Sequence, residues 1–270
     1  MSRVTQWLVV ACVDATHSAL YHGRAMPNPV VGFQIATLNP ERLTAFYREV
    51  FGWTLHYHPE IDYTTIETDA GGIKGGMARM PKGAEGFVCL YIEVDNVDYA
   101  LSQIAGSGGH ILAMPATIPY MGTVAMFADL EGHPMALVQS NPDYSHHEYR
   151  VYEWPKEPTE GAVIHFEILG VNTLPLQHFY RNVFGWFLDT SATPDYGQVD
   201  THTIAISGAV GHLDRPLGPV TVFIQTADLP AALRRIEAAG GATVDASHVP
   251  EYALFTDPEG NLLGLLTPPD

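Results

Sequence analysis

The chain has 270 residues, 46% of them hydrophobic and 16% charged, and 13 basic against 30 acidic residues give a formal net charge of −17. This composition is that of a globular protein rather than a disordered one. The negative charge repels phosphate backbones and anionic lipid, so we expect neither a nucleic-acid nor a membrane partner. Two cysteines, Cys12 and Cys89, do not make a disulfide framework, which fits a reducing compartment, and we expect the protein to be cytoplasmic.

The first predicted unit combines one strand, one helix and three short strands. Residues 1–29 precede it, have no counterpart later in the chain and are interpreted as an N-terminal extension. Val30–Thr37 alternates as a strand does. Asn39-Pro40 then predicts a helix start, with a side-chain oxygen at the N-cap and proline at the first helical position, and Gly52 ends that helix. The three strands that follow are predicted at Thr54–His58, Thr64–Thr68 and Ile73–Met77.

The same plan then begins again. A strand at Phe87–Val94 and a helix at Val97–Ala105 are followed by predicted strands at His110–Ala113, Thr123–Asp129 and Met135–Gln139. Residues 30–140 therefore form a first domain made of two β-α-β-β-β modules. Residues 141–161 are polar, lack an apolar period and are predicted to be a linker.

Two motifs recur in the same order in the second half of the chain. Residues 46–53 read FYREVFGW and residues 179–186 read FYRNVFGW. A later turn reads Asp129-Leu130-Glu131-Gly132 in one half and Asp257-Pro258-Glu259-Gly260 in the other. Such a repeat indicates a duplicated unit. Residues 162–270 are therefore a second domain, with predicted elements at Ile164–Leu169, Leu174–Phe184, Thr203–Ile206, Val210–Leu213, Val220–Thr226, Leu229–Ala239, Tyr252–Thr256 and Leu262–Leu266.

These motifs together resemble the vicinal oxygen chelate superfamily of glyoxalases, bleomycin-resistance proteins and extradiol dioxygenases. The resemblance rests on FYRxVFGW, the D-x-E-G turn and the helix start Val94-Asp95-Asn96-Val97-Asp98. It implies an α+β fold of tandem βαβββ modules, in which two glyoxalase-like domains have curved mixed sheets that form cup-shaped cavities. A fold alone does not fix the activity, which must come from the site.

Metal-dependent relatives, as the resemblance implies, place ligands at four strand positions. In domain 1 these positions hold Gly32, Gly76, Cys89 and Ala136, and in domain 2 they hold His165, His212, Thr221 and Gly264. Neither domain supplies a full set of donors for Zn, Ni or Fe. A divalent metal remains an option in a mixed site of His165, His212 and Cys89, with His133 close to the turn.

Alternation along the strands selects the other candidates. His165 and Glu167 are two residues apart and point the same way, which offers a catalytic acid–base pair. The alternative is that the pair only shapes the pocket, and Cys89 is equally interpreted as a small buried hydrophobe. The candidate ligand-binding residues are Gln34, Tyr91, Glu93, Tyr120, Thr221, Phe223 and Gln225.

Two functions follow from this set. One is a glyoxalase-like enzyme of the lyase or isomerase type, with a degenerate or absent metal site, that acts on a small polar or carbonyl-bearing molecule. The other is a binding protein that holds a drug or metabolite without changing it. In either case we expect a small-molecule ligand and a monomer or homodimer.

Overall fold

A computed structural model describes residues 27–68, 70–118, 121–140, 160–200, 206–212, 218–247 and 251–267. Tyr120, most of the predicted strand Thr203–Ile206 and most of the extension and linker lie outside these residues. No helix among the described residues is long and apolar enough to cross a membrane.

The described residues of each half form one eight-stranded mixed sheet with two helices. The first half contains β1 Val30–Thr37, α1 Pro40–Phe51, β2 Thr54–His58, β3 Tyr63–Glu67, β4 Lys74–Arg79, β5 Phe87–Glu93, α2 Val97–Gly106, β6 His110–Ile118, β7 Gly122–Ala128 and β8 Pro134–Gln139. The second contains β9 Val163–Gly170, α3 Thr173–Phe184, β10 Phe187–Asp189, β11 Tyr196–Asp200, β12 Ser207–His212, β13 Val220–Gln225, α4 Leu229–Ala238, β14 Ala242–Asp245, β15 Tyr252–Thr256 and β16 Leu262–Leu266.

The strand order is the same in both sheets. It is β2-β3-β4-β1-β5-β8-β7-β6 in the first and β10-β11-β12-β9-β13-β16-β15-β14 in the second. The two modules of a domain join where their first strands pair antiparallel, β1 with β5 and β9 with β13. The predicted α+β fold of tandem βαβββ modules is thereby confirmed, and the sheets are not closed into barrels. Three short strands escaped prediction: β10, β11 and β14.

Local sequence explains the repeated helices. The Asn39 side chain accepts a hydrogen bond from the Arg42 N–H at 3.0 Å, and Pro40 opens α1 where its missing N–H costs nothing. Gly52 ends the helix at φ 70°, in the left-handed region that glycine enters without a steric penalty. Gly185 ends α3 in the same way at φ 71°.

The two faces of each sheet have different partners. In domain 2, Phe166 and Ile168 belong to the large core that contains the helix residues Leu176 and Tyr180. His165 immediately precedes Phe166 and points to the other face, because strand side chains alternate. In each domain, we call the sheet face that points away from the helices the inner face.

The repeated motifs connect the two domains reciprocally. The Tyr47 hydroxyl of α1 donates to Asp257 Oδ2 at 2.8 Å, and the Tyr180 hydroxyl of α3 donates to Asp129 Oδ2 at 2.9 Å. All four groups are buried. Each Tyr comes from the FYRxVFGW segment of one domain, and each Asp comes from the D-x-E-G turn of the other.

Further members of the two motifs follow the same rule. Glu259 accepts from the Leu38 N–H at 2.8 Å just before α1, and Glu131 accepts from the Val171 N–H at 2.7 Å just before α3. The ring of Phe51 packs 5.9 Å from that of Phe255. The shared spacing of the motifs therefore serves the contact between domains as well as the core of each one.

The tryptophans at the motif ends also form hydrogen bonds with the segment that leads into the other domain. Trp53 Nε1 donates to the Gly161 carbonyl at 2.7 Å, just before β9, and Trp186 Nε1 donates to the Asn28 carbonyl at 2.6 Å, just before β1. Both indoles are 1% exposed, which places them in the core and not on a ligand platform.

Candidate functional site

The inner face of domain 2 brings together the predicted catalytic pair. His165 and Glu167 lie on β9 two residues apart, and Glu167 is only 6% exposed on the face that points away from the helices of the described part of the chain. The Tyr196 hydroxyl on β11 donates to Glu167 Oε1 at 2.8 Å. A buried carboxylate is tolerated when it is hydrogen-bonded, so Tyr196 stabilises Glu167 in place.

A glycine on the intervening strand makes the Tyr196 contact possible. Gly211 on β12 lies opposite Tyr196, and a Cβ added at Gly211 would be 2.5 Å from Tyr196 Cδ2. The Tyr196 ring therefore packs over Gly211, and its hydroxyl reaches Glu167 on the strand beyond. Sequence analysis missed Tyr196, although the alternation of Tyr196, Gln198 and Asp200 was an available signal.

The electrostatic environment of His165 keeps its imidazole neutral at pH 7. The side chain is half-buried inside the sheet, and this burial lowers the pKa of His165 below its ordinary 6.5. The nearby charge of Glu167 acts in the opposite direction and raises that pKa, but burial is the larger effect. A neutral imidazole next to a carboxylate can accept a proton and have the resulting charge stabilised.

Phe223 on β13 borders His165 directly. The two rings meet edge to face with centroids 5.5 Å apart, and His165 and Phe223 are partners in the strand register. A Cβ added at Gly264 on the adjacent strand would be 2.1 Å from Phe223 Cδ1, so the phenyl ring covers Gly264. The Thr221 hydroxyl, also predicted to bind ligand, donates to the Gly218 carbonyl at 3.1 Å.

Gln225, the last predicted member of this face, is 0% exposed. Neither its Nε2 nor its Oε1 has a hydrogen-bond partner among the described residues. Buried amides are ordinarily paired.

The placement predicted for His212 was wrong. The residue opposite His165 on β12 is Ser207, whereas His212 pairs with Gly170, five positions farther along β9. At about 3.3 Å per residue that is about 16 Å from His165. His212 is exposed and has the opposite alternation to Gly211, so its side chain points away from the inner face. Its counterpart in domain 1 is Arg79, which pairs with Thr37 on β1.

Domain 1 carries the same frame with different chemistry. Gln34 stands where domain 2 has Glu167, and its Oε1 accepts from the Tyr91 hydroxyl at 2.7 Å. Tyr63 stands where domain 2 has Tyr196, and its ring lies over Gly76, since a Cβ there would be 2.0 Å from the Tyr63 hydroxyl oxygen. Gly32 replaces His165, so this domain lacks the imidazole–carboxylate pair.

Two other candidates of domain 1 have local roles. Cys89 is buried, and burial raises its pKa to about 12, so the thiol is protonated at neutral pH. Glu93 accepts a short hydrogen bond from the Ser140 hydroxyl. The remaining inner face is apolar and only partly covered, with Val31, Phe87, Met121, Val124 and Met126 packed against Cys89 and Tyr91.

The described residues do not fit a metal site of the kind that the resemblance implies. Among the described residues no three His, Cys, Asp or Glu side chains are grouped so that they could hold an ion. Phe223 fills the space beside His165 that a donor at position 264 would need. Of the mixed set, His212 lies far along the strand, and His133 is bonded through Nδ1 to Asp129 Oδ2 at 2.9 Å in the domain contact.

Comparison with known proteins identifies both halves. The model described as Glyoxalase/Bleomycin resistance protein/Dioxygenase superfamily matches residues 30–137, and the model described as Glyoxalase-like domain matches residues 172–266. The chain belongs to the vicinal oxygen chelate superfamily. The two inner faces described above therefore belong to the two domains of a protein of this superfamily.

Curated relatives match over different lengths. The protein named "Putative glyoxylase CFP32" of Mycobacterium tuberculosis is 24% identical over 252 residues, which cover 87% of this chain and 92% of that protein. The protein of the same name from Mycobacterium bovis is 28% identical over 113 residues, and the match covers 40% of this chain and 43% of that protein.

Solved structures share the fold at low sequence identity. The 2,3-dioxygenase LapB from Pseudomonas sp. KL28 superposes with a TM-score of 0.62 at 15% identity, over 90% of this chain and 93% of that one. The Mn(II)-bound glyoxalase from Novosphingobium aromaticivorans gives 0.57 at 14% identity, over 92% and 83%. Both matched proteins are enzymes.

Proposed function

We propose that this protein is a small-molecule enzyme of the lyase or isomerase type, which transfers a proton on a carbonyl-bearing substrate at the inner face of domain 2. The observation that carries the proposal is the pairing of a neutral, half-buried His165 with a buried Glu167 that Tyr196 holds from the next strand but one. Domain 1 keeps the same frame but has Gly32 and Gln34 at these positions, so the activity is assigned to domain 2.

In the proposed reaction His165 is the base. It takes a proton from the carbon beside the carbonyl, and the electrons of the broken C–H bond move towards the carbonyl oxygen. Glu167 stabilises the imidazolium that forms. When the carbon beside the carbonyl carries a hydroxyl, the abstracted proton returns to the former carbonyl carbon, the hydroxyl proton moves to the former carbonyl oxygen, and the hydroxyl oxygen becomes the new carbonyl oxygen, which completes an isomerisation. When the next carbon along carries a leaving group, that group departs with the electron pair of its bond while the carbonyl re-forms, which gives an elimination instead.

Deuterium incorporation tests the proposal whichever product the enzyme forms. A panel of small ketones, α-hydroxyketones and 2-oxo acids is incubated with the protein in D2O, and exchange at the carbon beside the carbonyl is followed by NMR. We expect exchange with at least one member, and a loss of about 10²–10⁴-fold in His165→Ala, the usual contribution of a positioned base.

The control is another histidine of the same domain. His178 is exposed on α3, so His178→Ala changes the histidine count without touching the inner face. Exchange that survives in His165→Ala, or that falls equally in the His178 variant, contradicts the proposal.

A second function is favoured by the inner face of domain 1. Its partly exposed apolar side chains include Met121, Val124 and Met126, and flexible methionines suit varied apolar ligands. Under this hypothesis the protein holds an aromatic drug or metabolite unchanged. Thermal-shift screening of such compounds, followed by mass spectrometry of the recovered compound, distinguishes the two functions. Met126→Glu should weaken binding at domain 1 and leave exchange at domain 2 intact.

A further inference from the structure

Gln225 is buried. Its main-chain groups are hydrogen-bonded, whereas its side-chain amide is not, within the described part of the chain. Its N–H donates to the Ala162 carbonyl at 2.8 Å, and its carbonyl accepts from the Gly161 N–H at 2.9 Å. These bonds fix the end of β13. The side-chain nitrogen and oxygen, by contrast, are both buried with no partner among the described residues.

An unpartnered buried amide destabilises the folded chain, because its nitrogen and oxygen lose their bonds to water and gain none in return. A leucine of similar volume would avoid that cost. The other buried glutamine of this domain shows the usual arrangement, since Gln177 Nε2 donates to the Pro194 and Val210 carbonyls at 3.2 and 3.1 Å. Gln225 is therefore unusual within its own domain.

The surroundings of Gln225 on the inner face are apolar. Alternation along β13 places Gln225 on the same face as Thr221 and Phe223. Its register partner on β16 is Leu266. The cluster on this face consists of Phe223, Tyr252, Leu254, Leu262 and Leu266, with Ile164 packed against it. The Gln225 amide therefore lies in an apolar part of this face.

The strand register also fixes where the amide lies relative to the catalytic pair. Glu167 pairs with Thr221 and His165 pairs with Phe223, and Gln225 comes two residues after Phe223 on the side away from Glu167. One such step is about 7 Å along a strand. A ligand that reaches both His165 and Gln225 therefore has two polar ends about 7 Å apart.

We propose that Gln225 recognises the ligand of this face, and that this ligand has an apolar body and a neutral group that pairs a hydrogen-bond donor with an acceptor, as a primary carboxamide or a lactam does. Such a group satisfies both atoms of the glutamine amide at once. The inference rests on the proposed function only in placing the ligand on the inner face of domain 2, and it does not depend on proton transfer.

The first test is the stability of the ligand-free protein. If Gln225 is kept for a ligand, Gln225→Leu removes an unpartnered amide and raises the melting temperature, by about 2–4 °C for a chain of this size. Gln177→Leu is the matched control, and it should lower the melting temperature because it removes the donor to the buried Val210 carbonyl and to the part-buried Pro194 carbonyl. If Gln225→Leu instead destabilises the protein as Gln177→Leu does, an ordered water satisfies the amide and the inference is wrong.

The second test uses two probes of nearly identical shape, 3-phenylpropanamide and 4-phenylbutan-2-one, in titration calorimetry. The amide can pair with both atoms of Gln225, whereas the methyl ketone offers only an acceptor. We expect the amide to bind at least about tenfold more tightly, the factor that one hydrogen bond typically provides, and we expect the preference to vanish in Gln225→Leu.

Equal affinities, failure of the amide to bind, or a preference that persists in Gln225→Leu would overturn the inference. The same titration in His165→Ala separates it from the proposed function. An amide preference that survives in His165→Ala supports ligand recognition by Gln225 independently of the proposed base. If the wild-type protein shows the amide preference but no exchange with any carbonyl compound, the proton-transfer proposal is wrong and the recognition by Gln225 stands.

Discussion

The imidazole of His165 experiences two opposing effects, and the balance gives a prediction for pH. Burial lowers its pKa from 6.5 and the charge of Glu167 raises it, with burial dominant. The neutral form is the proton acceptor. As the pH is lowered, we therefore expect kcat/KM for exchange to stay constant until the pH is below 6.5, and then to fall as His165 becomes protonated.

Glu167→Gln removes the opposing charge while keeping the shape. The His165 pKa should then fall further, and the acidic limb of the pH–rate profile should move to lower pH. NMR titration of the His165 ring carbon measures the same pKa without substrate. The role of His165 as the base would be contradicted if the acidic limb of the wild-type profile had its midpoint at or above pH 6.5, or if the limb moved to higher pH in Glu167→Gln.

The same pKa affects stability with a definite sign. In the unfolded chain His165 titrates near 6.5, and in the folded chain it titrates lower. Between those two pH values the unfolded state binds more protons, so the contribution of His165 to the free energy of unfolding decreases as the pH falls through that window and is constant below it.

At the level of elements, the packing of the Tyr196 ring over Gly211 can be tested directly by substitution. In Gly211→Ala the new methyl group displaces the ring, and Glu167 loses its hydroxyl donor. A hydrogen bond to a charged group is worth about 1.5–3 kcal/mol, so we expect kcat to fall by about tenfold or more. KM should change little, because Tyr196 positions the carboxylate and does not hold the substrate.

Tyr196→Phe should reproduce that loss, since it removes the same hydroxyl. The matched control is Gly106→Ala at the end of α2, where an added Cβ meets nothing within 4 Å. Steady-state kinetics of the three variants decide the matter. Unchanged kcat in both Gly211→Ala and Tyr196→Phe would show that Glu167 does not need the tyrosine.

Sequence reasoning succeeded where the pattern was local and failed where it depended on register across strands. The position of His165 relative to Phe179, and the shared direction of His165 and Glu167, follow from counting along one strand and one helix. His212 was misplaced because its register depends on the strands between residues 187 and 206, of which β10 is three residues long and offers no usable alternation. The contact between Tyr196 and Glu167 crosses a whole strand, and no periodicity in a single segment predicts it.

At the scale of the whole molecule, the buried tyrosine–aspartate pairs join the domains. Tyr47→Phe leaves the buried Asp257 without one of its donors, and a loss of about 1–3 kcal/mol in the free energy of unfolding is expected. Tyr180→Phe should act alike on Asp129. Denaturant unfolding, followed by circular dichroism and by tryptophan fluorescence, measures the change.

The pH dependence of the Tyr47→Phe effect provides the control. Burial raises the pKa of Asp257 above its usual 3.8, so the carboxyl becomes protonated in the folded state at a less acidic pH than in the unfolded chain. A neutral carboxyl needs the donor less, so the destabilisation should shrink as the pH falls towards about 4. A deficit that grows on acidification would contradict the role given to the tyrosine.

The reciprocity of these contacts has a consequence for how the chain came to be built. Residues of the first half's α1 segment meet the second half's D-x-E-G turn, and the α3 segment meets the first half's turn in the same way. That is the contact rule of an isologous pair, in which the same patch serves on both partners about a two-fold axis. A polypeptide of half this length already contains both sides of the interface, so two copies of it could associate as the two domains do here. Fusion of the copies into one chain then frees each to change alone, which is how one half can retain an imidazole and a carboxylate while the other holds glycine and glutamine.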